Sequence, residues 1–280
     1  MAARLIFIHA LSSLHAGTGQ GVGTIDLPIA RERATNLPVI PGSSIKGCLK
    51  DAYGMGPDAD AAFGKPDTAG LLQVSDARLL LLPVRCLGAS FVWTTSPYVL
   101  RRFERDLKAA GVAAGLPKIA DLADGSADVA TADPLVTVSG AKRLVLEDLD
   151  FTAKVGDAAK WAEWIGAHLF ADDVAWQGEL KKRFAILDDQ SFHFLADFAT
   201  EVAAHVQIAP ETGTVKPGAL WYQESLPAET VLVSLLRAEE RDGTAAAILN
   251  NAGGARYLQL GGKATTGQGV VRIVPMGGGV

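Results

Sequence analysis

Asp26, Arg31, Arg33 and Lys46 lie close together in Ile25 to Gly47, IDLPIARERATNLPVIPGSSIKG, and their types suit one task. Cationic side chains hold phosphate oxygens, and a carboxylate among them can orient a divalent cation or a reacting hydroxyl. The combination suggests RNA. Within the stretch, Pro41 and Gly42 end an extended run, and Ser43 or Ser44 is expected to cap a helix. Ile45, Leu49 and Ala52 follow at helical spacing. The free N–H groups of such a helix start, with Lys46 beside them, form a seat for phosphate. The plain alternative is a turn that only caps a helix.

Two glycine-rich loops offer backbone that a polyanion can approach closely, or simply tight turns. Gly17 to Gly23 has glycine at every second position, but no G-x-G-x-x-G register fits, because the third glycine would fall on Val22 or Thr24. Gly253 to Gly269, GGARYLQLGGKATTGQG, contains Gly262-Lys263. A Walker loop fails there because Tyr257 takes the place of the first glycine and Ala264 that of the magnesium-binding hydroxyl. A nucleotide-dependent small-molecule enzyme is therefore disfavoured.

The elements that must position these residues follow from periodicity. Leu5 to Ser12, Leu71 to Val84 and Gly88 to Thr95 read as strands, and Tyr98 to Ala110 carries Leu100, Phe103 and Leu107 on one helical face. The order β, α, β, β, α favours an α+β, ferredoxin-like sheet with helices on one side. Trp161, Trp164, Ile165, His168 and Leu169 form an apolar helical stripe, better suited to core than to base stacking. Val206 and Ile208 alternate with polar Gln207, and Ala219 to Glu224 resume an extended run after Pro210, Gly213, Pro217 and Gly218. This predicts a hairpin with a long loop.

Composition bounds the class. With 280 residues, 49% of them hydrophobic and 20% charged, the chain has ample material for a globular core. Cys48 and Cys86 supply neither a disulfide framework nor a metal-binding spacing, which makes a reducing cytoplasm the expected compartment. No apolar run reaches membrane-spanning length, and His9, Ser12 and Ser13 interrupt a faint signal-like run from Leu5 to Leu14. The net charge of −5 opposes a uniformly basic, nucleic-acid-binding surface. Yet Arg4, Arg31, Arg33, Lys46 and Lys50 gather in the first fifty residues, while acids concentrate in Asp121 to Asp133 and Glu147 to Asp157. One basic face suffices where copies align along a single RNA; the plain alternative is solvated surface charge.

Four segments in order, LSSLHAGTGQGVGTIDLPIARERATNLPVIPGSSIKG, LQVSDARLLLLPVR, TGTVKPGALWYQESLP and LQLGGKATTGQG, resemble the RAMP-superfamily subunits of type III CRISPR ribonucleoproteins. The likeness runs from near Leu5 to near Ile273, is poorest from about Ala109 to Ala185, and is greatest to the repeated backbone subunit of the type III-B (Cmr) complex. It implies one RRM-like (ferredoxin-like) RAMP domain over 1–280, a helical insertion at about 109–185 and a protruding β-hairpin thumb at about 205–227. It also implies helical stacking of copies along guide RNA, contact with other Cmr subunits, and cleavage of paired target RNA at regular intervals.

The family's essential acid falls on Asp26, which we expect to orient a divalent cation, magnesium or manganese, because an ionised aspartate is a feeble general base. His15, Tyr222 and Glu224 are secondary candidates for aiding proton transfer or holding the scissile phosphate. The RNA contacts expected are Gly17, Gly19, Arg31, Arg33, Ser43, Ser44, Lys46 and Lys50. In the C-terminal loop they are Gly261, Gly262, Lys263, Thr265, Thr266 and Gly267. A purely structural guide-RNA subunit, with Asp26 only organising its loop, is the alternative.

Overall fold

The computed structural model describes residues 2–276 except 20, 22, 113, 114 and 241–243. The chain begins with β1 (Ala2–Ala10), β2 (Val39–Ile40), α1 (Gly42–Tyr53) and α2 (Pro57–Phe63). A small hairpin, β3 (Gly64–Lys65) and β4 (Thr68–Ala69), precedes β5 (Leu72–Val74), β6 (Ala77–Arg85), β7 (Phe91–Thr95) and α3 (Pro97–Ala109). The middle holds β8 (Ser126–Val129), β9 (Val136–Val138), β10 (Ala141–Leu146), β11 (Leu149–Val155), α4 (Ala158–Leu169), α5 (Val174–Lys182) and β12 (Phe184–Leu187). Then follow α6 (Asp189–Phe198), β13 (Glu201–Ile208), β14 (Val215–Ser225), β15 (Val231–Ala238), α7 (Ala245–Ala252), β16 (Arg256–Gln259) and β17 (Val270–Pro275).

Most strands join one mixed sheet in the order β16-β17-β1-β15-β6-β7-β12-β8-β11-β10-β9, with β2 beside β6 and β5 beside β15. β1 is an interior strand, antiparallel to both β15 and β17. Its sequence explains how the fold is layered. Side chains alternate across a strand, and here both parities are apolar. Leu5 and Phe7 enter one buried cluster with Leu100 and Phe103 of α3, Trp161 and Ile165 of α4, and Phe192 of α6. Ile6 and Ile8 enter a second with Ile45 and Leu49 of α1 and Ile248 and Leu249 of α7. Helices therefore cover both faces, not the single side expected from element order, because the apolar run Leu5 to Ile8 of β1 cannot leave either face in water.

Two further expectations are corrected. The run Leu71 to Val84 is broken at Ser75 and Asp76 into β5 and β6, which pair with different ends of β15. The segment 109–185 is not only helical: β8 to β11 extend the sheet, and α4 and α5 follow. Its short strands lack the long alternation that makes a strand readable. The tryptophan stripe does serve as core, with Trp161, Ile165 and Leu169 buried in α4 and His168 stacked 4.0 Å from Trp164. Among the described residues no helix is long and apolar enough to cross a membrane.

Candidate functional site

β13 and β14 form a separate antiparallel hairpin whose side chains are mostly exposed, starting at Glu201, a few residues before the sequence-predicted bound. The segment 25–31 is threaded against its base. Leu27 donates its N–H to the Tyr222 carbonyl at 3.0 Å and accepts from Glu224 N–H at 2.9 Å, while Ala30 N–H bonds the Ala16 carbonyl at 2.8 Å. Residues 25–31 are thus held on two sides, by the loop after β1 and by β14. Asp26 is exposed at the outer end of this pairing, and its Oδ2 accepts the Tyr222 N–H at 2.7 Å. Its carboxylate lines an open cavity of about 400 Å³ with Leu27, Trp221 and Lys263. Lys263 stands in the left-handed region (φ 66°), and its Nζ lies 6.0 Å from the Trp221 ring centroid. His205 stacks on Trp221, with ring centroids 5.6 Å apart.

The inner end of the same pairing is closed. Glu224 is buried, and its carboxylate accepts from Arg31 Nη2 at 2.6 Å, Thr200 Oγ1 at 3.0 Å and the Ile29 N–H at 3.1 Å. Arg31 spends its other nitrogen on the Asn36 and Ala196 carbonyls and on Asp197. His15 is buried too, with Nδ1 donating to the Glu224 carbonyl at 2.6 Å, while its own carbonyl accepts from Gly262 N–H at 2.9 Å. A Cβ at Gly17 would meet His15 Nε2 at 2.5 Å, and one at Gly261 would meet the His15 carbonyl oxygen at 2.4 Å. These two glycines are required by close approach to His15. Of the residues grouped by sequence, the structure brings Asp26 and Lys263 to one cavity. It turns Glu224, Arg31 and His15 inward and leaves Tyr222, Gly19 and Arg33 exposed.

The C-terminal loop is anchored rather than free. Gly269 N–H bonds the Ser13 carbonyl at 2.8 Å, and Gln223 Nε2 bonds Gln268 Oε1 at 2.7 Å, leaving Gly262, Thr265, Thr266 and Gly267 on the surface. The basic helix α1 differs from expectation at its start. It begins at Gly42 with Pro41 in the cap position and no side-chain cap, so neither Ser43 nor Ser44 plays that part. Asp76 supplies the missing acceptor, taking the Gly42 N–H at 2.7 Å. With that amide occupied by a carboxylate, the open cationic surface lies along the helix flank. There Lys46 and Lys50, with Lys65 of β3, line a cavity of about 690 Å³. Burial, then the charge of Lys50, hold the Lys46 ammonium below the usual lysine range. Sequence reasoning missed Lys65 and the wall formed by Trp221; the Lys65-Pro66-Asp67 turn signal was the only cue to the first.

A lone exposed carboxylate beside a lysine, with a lysine-lined groove elsewhere on the same chain, fits a phosphodiester backbone better than a small metabolite. The RAMP superfamily signature matches residues 7–272. The chain is 36% identical to the CRISPR system Cmr endoribonuclease Cmr4 of Pyrococcus furiosus, over 98% of this chain and 95% of that protein. It is 25% identical to the CRISPR system CMR subunit Cmr4 of Saccharolobus solfataricus, over 95% and 94%. Its fold is similar to that of oligomeric Cmr4 from Pyrococcus furiosus, with a TM-score of 0.77 and 29% identity, covering 99% of this chain and 98% of that one. A chain of a type III-B Cmr-beta complex bound to cognate target RNA shares the fold, with a TM-score of 0.75 at 20% identity, covering 98% and 97%. With a signature spanning nearly its whole length and a 36% identical relative, the chain belongs to the RAMP superfamily.

Proposed function

We propose that this chain is the repeated backbone subunit of a type III-B CRISPR ribonucleoprotein, holding guide RNA and cutting complementary target RNA. The observation that carries the cutting half is Asp26, an exposed carboxylate fixed by the Tyr222 N–H in a cavity shared with Lys263 and Trp221. Support for the assembly half comes from relatives described as an endoribonuclease, as oligomeric and as part of a complex bound to target RNA. In this reading copies stack head to tail, other Cmr subunits cap the stack, and the α1 flank and C-terminal loop follow the guide. The sheet around β1 serves as an RRM-like core, and the β13–β14 hairpin serves as a thumb that bends the paired strand.

The reaction is attack of a ribose 2′-oxygen on the adjacent phosphorus. The 2′-hydroxyl loses its proton, the P–O5′ bond breaks and the 5′-oxygen is protonated, leaving a 2′,3′-cyclic phosphate and a 5′-hydroxyl. Holding the strand with the 2′-oxygen in line with the leaving oxygen supplies much of the rate. Lys263 places positive charge where the phosphate gains negative charge, and the Trp221 ring walls the strand against Asp26. The Tyr222 hydroxyl is a secondary candidate for proton transfer. Glu224 and His15 are positioning residues, the first holding Arg31 and the Ile29 N–H, the second bracing the C-terminal loop.

Among the described residues no group of three or more His, Cys, Asp or Glu side chains converges. A single carboxylate fits magnesium or manganese held through Asp26 together with RNA oxygens and water, rather than a resident protein-bound ion. Such an ion supplies Lewis-acid charge at the phosphate. The Asp26 to Tyr222 N–H bond also suits a second reading, a scaffold subunit whose aspartate only orders the hairpin base.

The test is the chemistry of the ends. With the chain assembled on guide RNA and given complementary RNA and magnesium, products spaced at regular intervals should carry 2′,3′-cyclic phosphate and 5′-hydroxyl ends. Fragments ending in 5′-phosphate would contradict attack by the 2′-oxygen, and intact RNA would favour the scaffold.

A further inference from the structure

We infer that the guide-RNA seat has a second lobe, an arginine cavity on the far side of β5 formed by Arg78, Arg105 and Arg237. This rests on the RNA reading of the α1 flank and extends it to a site that neither the sequence motifs nor the comparisons assign. The cavity measures about 530 Å³ and shares Gln73 and Val74 of β5 with the lysine-lined cavity, so the two basic hollows meet across one short strand.

Three chain segments build this lobe. Arg237 stands on β15 directly across from Gln73 in the antiparallel register, and both residues are exposed. Arg105 projects from the last turns of α3, with 63% of its side chain exposed. Arg78 comes from the start of β6. The only acid in the lining is Asp106, which Arg78 holds at 2.5 Å and which Arg105 Nε approaches at 3.6 Å. Within the lining three guanidiniums stand against one carboxylate, on a chain whose net charge is −5. The Arg237 side chain has no hydrogen-bond or ion partner among the described residues, and Arg78 Nε is buried with no acceptor.

Guanidiniums outnumbering the acid of a hollow, with the Arg237 side chain unpartnered among the described residues, call for an anion with several oxygens, and the fork of Arg suits phosphate. A carboxylate from a protein partner would satisfy the arginine lobe alone. A phosphodiester strand crossing β5 also accounts for Lys46, Lys50 and Lys65 on the other side. Spanning both lobes with one backbone needs several phosphates, which makes the ligand a single-stranded nucleic acid rather than a free nucleotide.

The test measures binding of a labelled single-stranded RNA to the full chain across a salt series. The variants are Arg105→Ala/Arg237→Ala and, separately, Lys46→Ala/Lys65→Ala. Each phosphate contact on single-stranded nucleic acid contributes about 0.7 to the slope of log K against log salt, so losing two arginine contacts should flatten it by about 1.4. Affinity at moderate salt should fall about tenfold or more. Arg105→Lys/Arg237→Lys, which keeps the charges, should restore most of the slope and guards against misfolding, alongside thermal melts of each variant. An unchanged slope in the arginine variant beside a flattened one in the lysine variant would overturn the second lobe while sparing the RNA seat on α1. Unchanged slopes in both would overturn the lobe and the RNA reading of this face together. A smaller oligomer with unchanged RNA affinity in the arginine variant would assign the cavity to an acidic protein surface instead.

Discussion

Two carboxylates sit on opposite ends of one short pairing, and their surroundings differ completely. Glu224, at the inner end, is taken up by Arg31, Thr200 and the Ile29 N–H, with side-chain exposures of 5% for the glutamate and 17% for Arg31. Asp26, at the outer end, is exposed and bonded to one backbone N–H. The inner pair fixes where the hairpin leaves the body, and the outer carboxylate faces the open cavity it shares with Trp221 and Lys263. Burial with saturated hydrogen bonding marks a structural charge; exposure with one anchoring bond leaves oxygen lone pairs for a ligand.

Removing the inner acid breaks the comparison most severely. Glu224→Ala leaves Arg31 with Asp197 as its remaining acid and strips the acceptor from Arg31, Thr200 and the Ile29 N–H, which at roughly 1 kcal/mol per bond should cost about 3 kcal/mol of stability, read as a fall in denaturation midpoint. A stable Glu224→Ala protein with normal melting would move Glu224 out of the scaffold. Next comes the brace beneath the C-terminal loop. Gly261 has φ 80° and its Cβ would meet the His15 carbonyl oxygen at 2.4 Å. Gly261→Ala should therefore cost about 1–3 kcal/mol and expose the loop to proteolysis.

The smallest effect concerns a second internal pair. Arg102 grips Glu32 through two bonds, of 2.7 and 2.5 Å. Burial opposes the charge on Glu32, but the bonds from Arg102 and Thr35 and the charges of Arg102 and Arg78 outweigh it and hold the carboxyl below its usual range. A carboxyl lowered on folding stabilises the protein above its unfolded pKa, and that stability is lost as pH falls through the folded value. Glu32→Gln should thus cost about 1–3 kcal/mol at neutral pH. The deficit should shrink as pH drops below the ordinary carboxylate range, in paired melts of variant and parent. A deficit independent of pH would separate Glu32 from this linkage.

Much of the frame was legible. The helix expected over Tyr98 to Ala110 is α3, one residue earlier at each end, because Leu100, Phe103 and Leu107 recur on one face and Ser96 caps it. β1 and the Ala219 to Glu224 strand were readable from composition and alternation. What sequence could not show was which charges are used internally. Arg31 and Glu224 are 193 positions apart, and an arginine destined for a buried pair looks the same in sequence as one destined for RNA. Asp76 likewise replaced the serine cap of α1 from a distance of 34 residues. The coverage of both sheet faces was visible in principle, in the unbroken apolar run of β1, but element order alone pointed to one.

The proposed function assigns the RNA chemistry to Asp26 and the fold to its inner counterpart Glu224. The most direct test is Asp26→Asn in the guide-loaded assembly, with melting, guide binding and target cutting measured on one preparation. Stability should change by less than about 0.5 kcal/mol, as for an exposed side chain. Guide binding should be unchanged, and cutting should fall by about 100-fold or more. Cutting at the parent rate would contradict the account, and so would a collapse of stability that left Asp26 indistinguishable from Glu224.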